Sequence, residues 1–213
     1  MTYELIKLTL SSFSRPQFSI LIISTILISI WLSYYLLFLS KNEIKVKKSI
    51  FHTYSLYLLF INIWVISNAF FQSEFLSYFD SVIAKEVGLI ANISSLLSAN
   101  FTFLFSCLLV RANKPLKKHQ SYTFIFGIIV SLVMFLYPEL TIVDVVITST
   151  GHFTITLGKA SSELFIFGFI LLILTFRNFY LYRKSQIKIN KTKSNYMMFG
   201  MSIFMVSTLI CHI

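Results

Sequence analysis

The chain contains little charge, glycine, proline or cysteine. Only 12% of its 213 residues are charged, and it has 6 glycines, 3 prolines and 2 cysteines. A composition this poor in charge excludes a disordered tail and a soluble basic domain, because both depend on a strongly hydrated sequence. Two cysteines are too few for a disulfide framework or a thiolate metal site. The length suggests a single domain.

Motifs that carry enzymatic chemistry are also missing from the sequence. It has no HExxH or CxxC motif, no Walker loop, no GxGxxG fingerprint and no GxSxG elbow. No orienting partner is evident for a catalytic histidine. We therefore expect no metal, no cofactor and no catalytic residue in this chain.

What the chain has instead is a series of long apolar runs. Hydrophobic residues make up 56% of the sequence. A helix needs about 20 residues to cross a hydrocarbon core of roughly 30 Å, and the apolar runs are close to this length. Their residues do not alternate as in a transmembrane barrel. The pattern predicts an all-α integral membrane bundle of about six transmembrane helices, preceded by a segment at 1–17. The predicted helices cover 18–39, 50–71, 87–110, 121–137, 161–182 and 195–213.

Basic residues collect in alternate loops between these runs. Four lie in 41–48, four in 111–118 and six in 177–193, out of 18 in the chain. Loops rich in lysine and arginine resist translocation and stay in the cytoplasm. The distribution predicts a multi-pass membrane protein, with the N-terminus and residues 1–17 outside and membrane lipid as a partner of the basic loops. It also explains the formal charge of +10 without nucleic acid as a partner.

Polar residues in the third predicted helix follow a helical repeat. Asn92, Ser95, Ala99, Thr102 and Ser106 recur at steps of three and four residues, which puts them on one face. Small and weakly polar side chains let another helix approach closely. We interpret this face as a packing seam, or as a seam that also lines a ligand cavity.

The predicted topology brings several polar groups to the outer half of the bundle. Amide, carboxylate and imidazole groups at one depth suit a small ligand with a polar head, and phenylalanine walls suit an acyl chain. The alternative is that the phenylalanines face lipid or one another and that the histidine is interfacial. The candidate ligand-binding residues are Trp64, Asn68, Asn92, Ser95, Phe153, Glu163, Phe165 and His212.

The external segment 138–160 differs from the rest of the chain. It is rich in β-branched residues, with alternation in 145–148 and 153–157, and Gly151 offers a turn between the two pieces. The pattern predicts a short hairpin or lid over the outer face. The alternative is that part of the segment dips into the membrane.

Several stretches between residue 64 and the end of the chain, taken in order, resemble a known family. They read WVISNAFF at 64–71, ANI at 91–93, FSC at 105–107, PELT at 138–141, FTITLG at 153–158, and KSNYMM at 193–198 continuing to His212. Together they resemble the membrane sensor of the LuxN-type quorum-sensing hybrid histidine kinases, over roughly residues 50–213.

This resemblance implies a receptor for an acyl-homoserine lactone, a small-molecule autoinducer that arrives at the periplasmic side. In the family, a nine-helix sensor with an external N-terminus precedes kinase and receiver domains. His212 matches a family histidine in the sixth helix, Phe165 an aromatic position in the fifth, and Asn92 an asparagine in the third. Phe135 and Leu164 depart from a family asparagine and phenylalanine, which leaves the acyl-chain preference open.

The resemblance also implies a truncated sensor. Kinase and ATP-binding motifs are absent from the sequence, so we expect that this chain alone does not autophosphorylate. A second copy of the chain is a candidate partner. Two alternatives stay open: a small transporter, for which 18–110 and 121–213 would have to be similar and are not convincingly so, and a sensor for another output domain such as a cyclase.

Overall fold

The computed structural model describes residues 16–42, 45–72, 81–111, 115–147 and 153–185, together with Asn195 and Phe199. These residues form five long helices, two short 3-10 turns (Ser40–Asn42 and Pro138–Leu140) and one pair of strands. The helices are α1 (Pro16–Leu39), α2 (Lys45–Gln72), α3 (Ser81–Arg111), α4 (Lys118–Leu136) and α5 (Ser161–Ser185). The strands β1 (Ile142–Ile147) and β2 (Phe153–Leu157) lie between α4 and α5.

Each described helix covers an apolar run of the sequence. Four spans, one in each of α2 to α5, are long and apolar enough to cross a membrane, and α1 contains a further apolar stretch at Ile26–Phe38. A helix satisfies its own backbone hydrogen bonds, as a chain in lipid must. The predicted class, a helical membrane bundle, is confirmed. The number of six helices and the external N-terminus stay predictions, since the sixth run lies outside the described residues apart from Asn195 and Phe199, which are both helical.

Helix α3 is the centre of the bundle. It packs against α2, α4, α5 and strand β1. Its membrane span is 56% buried, whereas the other three spans are 17–22% buried. Small side chains such as Ala91, Ser94 and Ser98 are buried along it, and they let the neighbouring helices approach closely. The central position of α3 therefore follows from its small-residue face.

The main core lies where α3 meets α5. Leu96, Ala99 and Phe103 of α3 pack with Leu171 and Leu172 of α5. By contrast, the outer faces of α1 and α4 present large apolar side chains on the surface of the bundle. Those with the largest exposed fractions are Leu27, Ile28, Trp31, Tyr34, Tyr122 and Phe135. Such surfaces are stable when lipid or another apolar partner covers them.

The segment after α4 forms the predicted hairpin. Strands β1 and β2 pair antiparallel, with Val145 opposite Ile155 and Ile147 opposite Phe153. The hairpin prediction is confirmed, while the proposed turn residue Gly151 lies outside the described residues. Lys85 of α3 donates a hydrogen bond of 2.8 Å from Nζ to the Val143 carbonyl, which ties the hairpin to the beginning of α3.

The base of the hairpin is closed by backbone contacts. The Gly158 amide donates to the Thr141 carbonyl at 2.8 Å, and the Ala160 amide donates to the Leu140 carbonyl at 3.0 Å. A Cβ added at Gly158 would collide with the Leu140 backbone carbonyl, so the close approach requires glycine. These contacts hold the strands over the end of the bundle at which α3 and α5 begin, which we call the hairpin end. The opposite end, where α3 and α5 finish and α4 begins, is called the basic end.

Candidate ligand-binding site

A cavity of about 260 Å³ lies at the hairpin end, between α3 and α5. Helix α4 contributes Met134 to its wall, and the base of the hairpin contributes Thr141 and Leu157. The remaining lining residues are Asn92, Ser95, Leu96 and Ala99 of α3, and Ser161, Ser162, Leu164, Phe165, Gly168, Phe169 and Leu172 of α5. The cavity therefore sits where three helices and the hairpin converge.

Five polar side chains line this cavity. Thr141 Oγ1 donates to the Pro138 carbonyl at 3.0 Å, and Ser161 Oγ donates to the Gly158 carbonyl at 2.7 Å. These bonds orient the two hydroxyls and leave their oxygens able to accept from a ligand. Within the part of the chain that the structure describes, the side chains of Asn92 and Ser95 make no hydrogen bond. Because an unpaired amide at membrane depth is unfavourable, a polar ligand group would stabilise it.

The rest of the cavity wall is apolar. Phe165 and Phe169 stack with their ring centroids 6.4 Å apart, and they stand on the same side of α5. Gly168 lies between them in sequence, and a Cβ there would come no closer than 3.9 Å to Leu96 Cδ1. The missing side chain therefore adds open volume rather than relieving a collision. A site of this kind has a polar side and an apolar side, as small-molecule sites commonly do.

The structure brings together three of the candidate residues named from the sequence. Asn92, Ser95 and Phe165 all line the cavity. Phe153 is the first residue of β2, and His212 lies outside the described residues. As a ligand-binding set, all the named residues stay predictions.

The other three candidates lie away from the cavity lining. Asn68 Nδ2 donates to the Trp64 carbonyl one turn earlier in α2, at 2.8 Å. Glu163 accepts a hydrogen bond of 3.0 Å from Ser162 Oγ and is exposed. Depth alone placed these residues with Asn92, but the face of each helix decides which side chains meet.

Several cavity residues on α5 were not among the candidates named from the sequence. Ser161, Leu164, Gly168 and Leu172 follow one another at steps of three and four residues and so share a face with Phe165. That spacing was readable from the sequence. Met134 likewise follows the small residues Gly127 and Ser131 of α4 at steps of four and three residues.

The polar face of α3 has different surroundings at its two ends. Asn92, Ser95 and Ala99 line the cavity, whereas Thr102 and Ser106 are buried against neighbouring helices. Thr102 Oγ1 donates to the Ser98 carbonyl of its own helix at 2.6 Å. This face therefore lines a cavity near the hairpin and forms a packing seam near the basic end, while binding of a ligand in the cavity stays a prediction.

No metal-binding group is formed by the described residues, because they contain no cluster of three or more His, Cys, Asp or Glu side chains. The cavity offers hydroxyl, amide and apolar groups instead. Its chemistry is suited to binding and orienting a neutral or weakly polar molecule.

Two known proteins are similar to this chain along most of its length. The Autoinducer 1 sensor kinase/phosphatase LuxN of Vibrio campbellii and that of Vibrio harveyi are each 31% identical to it over 200 residues. The likeness to the LuxN-type sensor kinases is confirmed. The match covers 91% of this chain and 23% of each LuxN protein, so the chain spans less than a quarter of their length.

No family model and no solved structure matches the chain. The similarity to LuxN and the four candidate membrane spans together identify a multi-pass protein of the bacterial inner membrane.

Proposed function

We propose that this chain is the membrane sensor part of a LuxN-type two-component kinase and that its cavity binds an acyl-homoserine lactone. The observation that carries the proposal is the cavity of about 260 Å³ in which the Asn92 amide and the Ser95 hydroxyl meet apolar walls. An acyl-homoserine lactone has a ring and an amide that accept and donate hydrogen bonds, and an apolar chain. The two sides of the cavity match these two parts of the ligand.

The polar groups of the cavity would hold the lactone head. Asn92 offers both a donor and an acceptor, and Ser95 offers a hydroxyl, so the pair suits a ligand amide and a carbonyl. The base of the hairpin and the first residue of α5 add the hydroxyls of Thr141 and Ser161 to the lining. The acyl chain would then lie against Phe165, Phe169 and the neighbouring leucines.

The size of the cavity favours a short acyl chain. Small-molecule sites are usually roughly 300–1,000 Å³, and this cavity of about 260 Å³ falls just below that range. A long acyl chain would have to displace Met134 or Leu172. We therefore expect butanoyl- and hexanoyl-homoserine lactone to bind better than dodecanoyl-homoserine lactone.

The proposal includes the orientation in the membrane. With the basic end in the cytoplasm, the hairpin end faces the periplasm, so a ligand from outside reaches the cavity without crossing the bilayer. The described cations of the basic end include Arg111, Lys117, Lys118, Arg183 and Lys184, as the positive-inside rule requires for a cytoplasmic end. The kinase output, a homodimer and six membrane helices remain parts of the same proposal.

A thermal-shift experiment on the detergent-solubilised chain tests the proposal. A ligand that binds only the folded state raises Tm, and the rise grows with the logarithm of the ligand concentration above Kd. We expect butanoyl- or hexanoyl-homoserine lactone to raise Tm, and Asn92→Ala together with Ser95→Ala to abolish the shift. Asn68→Ala is the matched control, because this amide lies on α2 outside the cavity lining and should leave the shift intact. No shift with any lactone, or equal loss in both variants, would contradict the proposal.

A further inference from the structure

Asn100 of α3 makes an unusually close contact with Gly127 of α4. Asn100 is completely buried, and it follows the cavity-lining residue Ala99. A Cβ built on Gly127 would lie 2.6 Å from each of the Asn100 atoms Cγ, Nδ2 and Oδ1. Equal distances to three atoms of one planar group mean that the amide lies flat against Gly127. A residue larger than glycine fits there only if the Asn100 side chain or one of the two helices moves.

The same amide is bonded to α4 on one side only. Asn100 Nδ2 donates to the Phe124 carbonyl at 3.0 Å. Its Oδ1 is buried without a hydrogen-bond partner among the described residues. A buried acceptor left unpaired is destabilising, and an apolar side chain of similar size would avoid that loss. Stabilisation of the fold alone therefore does not explain a buried asparagine at this position. The Asn100 hydrogen bond is directional, so it can fix the position of α4 relative to α3.

Helix α4 contacts the bundle through the Phe101–Phe124 and Phe126–Phe167 ring pairs and along one narrow buried strip. Its buried residues are Gly127, Ser131 and Met134, which form one strip, and its other faces are largely exposed on the bundle surface. Met134 lies two helical turns beyond Gly127 and is part of the cavity wall. A tilt of α4 at Gly127 therefore moves Met134 towards or away from the cavity.

We propose that Asn100 is a positioning residue for the ligand site: through Gly127 and the Phe124 carbonyl, it sets the tilt of α4 and so fixes how far Met134 closes the cavity. Asn100 itself is not part of the cavity lining and acts through Met134. This inference rests on the proposed function for its ligand, but the position of Met134 relative to α3 can be measured without any ligand.

The first measurement follows Met134 without any ligand. The chain is labelled with ¹³C-methyl methionine, and the Met134 signal is assigned with Met134→Leu. We expect Gly127→Ala to shift this signal, because the added Cβ pushes α4 off Asn100, and the double variant Asn100→Ala/Gly127→Ala to return it towards the wild-type position. Thr123→Ala is the matched control: its hydroxyl bonds to the His119 carbonyl of the same helix and lies outside the buried strip, so its loss should leave the Met134 signal in place.

The second measurement is the affinity for butanoyl- and dodecanoyl-homoserine lactone. We expect Gly127→Ala to weaken binding of butanoyl-homoserine lactone about tenfold and to reduce the ratio of the two affinities. The double variant should restore both the affinity and the ratio. A purely structural role would lower Tm without changing the preference.

The outcomes separate the two ideas. If Gly127→Ala leaves the Met134 signal unchanged, or if the double variant does not rescue it, the positioning role of Asn100 is overturned. If the signal moves and is rescued but the wild-type chain binds neither lactone, the positioning of α4 by Asn100 is upheld and the proposed ligand is wrong. If the signal is rescued and binding is not, the link between Met134 and the ligand is overturned.

Discussion

Asn178 of α5 donates its side-chain amide to Ser106 Oγ of α3 at 3.0 Å, and to the neighbouring Cys107 Sγ at 3.2 Å. The Ser106 hydroxyl in turn donates a hydrogen bond of 2.7 Å to the Phe103 carbonyl of its own helix. The two helices that enclose the cavity at the hairpin end are therefore joined by side-chain hydrogen bonds near the basic end. A ligand that changes the separation of α3 and α5 at the hairpin end therefore acts on two helices that are hydrogen-bonded to each other near the basic end.

Removing this bond should destabilise the bundle. We expect Asn178→Ala to lower the free energy of unfolding by about 1 kcal/mol, because Ser106 and Cys107 lose their partner in a buried site. Unfolding in mixed detergent micelles measures the change, and a double-mutant cycle with Ser106→Ala isolates the coupling. Arg177→Ala, at the exposed neighbouring position, is the control. Additive effects of Asn178→Ala and Ser106→Ala would show that the bond contributes nothing.

The positions of the described helices and of the hairpin strands were predictable from the sequence, because both kinds of element depend on local periodicity. Apolar runs marked the helices, and β-branched alternation around Val145 and Ile155 marked the strands. The site was harder to predict. The spacing of Asn92 and Ser95 defines a face that lines the cavity, whereas Asn68 was named for its depth and bonds within α2. Ligand binding by any of these residues stays a prediction. Which face of one helix meets another is a tertiary property that no single segment encodes.

Filling the cavity should abolish ligand binding without unfolding the protein. Ala99 lines the cavity, and the larger side chain of Ala99→Leu would extend into it. Because Ala99 also packs in the core beside Leu171 and Leu172, we expect the Tm of the unliganded chain to fall modestly while the chain stays folded. The Tm shift caused by hexanoyl-homoserine lactone should disappear. A variant that binds the lactone as well as the wild type would place the ligand elsewhere.

The hairpin should depend on the close approach at its base. Gly158→Ala introduces a Cβ that collides with the Leu140 carbonyl, so we expect the strands to detach from the end of α3. Hydrogen exchange of the amides in Ile142–Ile147 and Phe153–Leu157 should become faster, while exchange in α3 is unchanged. Lys159→Ala changes the adjacent exposed residue and is the matched control. Equal exchange rates in wild type and Gly158→Ala would refute the requirement for glycine.

The orientation of the bundle can be decided with reporter fusions. Alkaline phosphatase is active only after export, so fusions after Lys48 and Lys118 should be inactive and a fusion after Lys159 should be active. The physical reason is that the lysine-rich loops resist translocation, and the hairpin segment carries Glu139 and Asp144 with few cations. Replacing the lysines of 41–48 with glutamine should weaken this bias and give mixed activity. The opposite pattern of reporter activity would turn the cavity towards the cytoplasm, where a ligand from outside the cell would first have to cross the membrane.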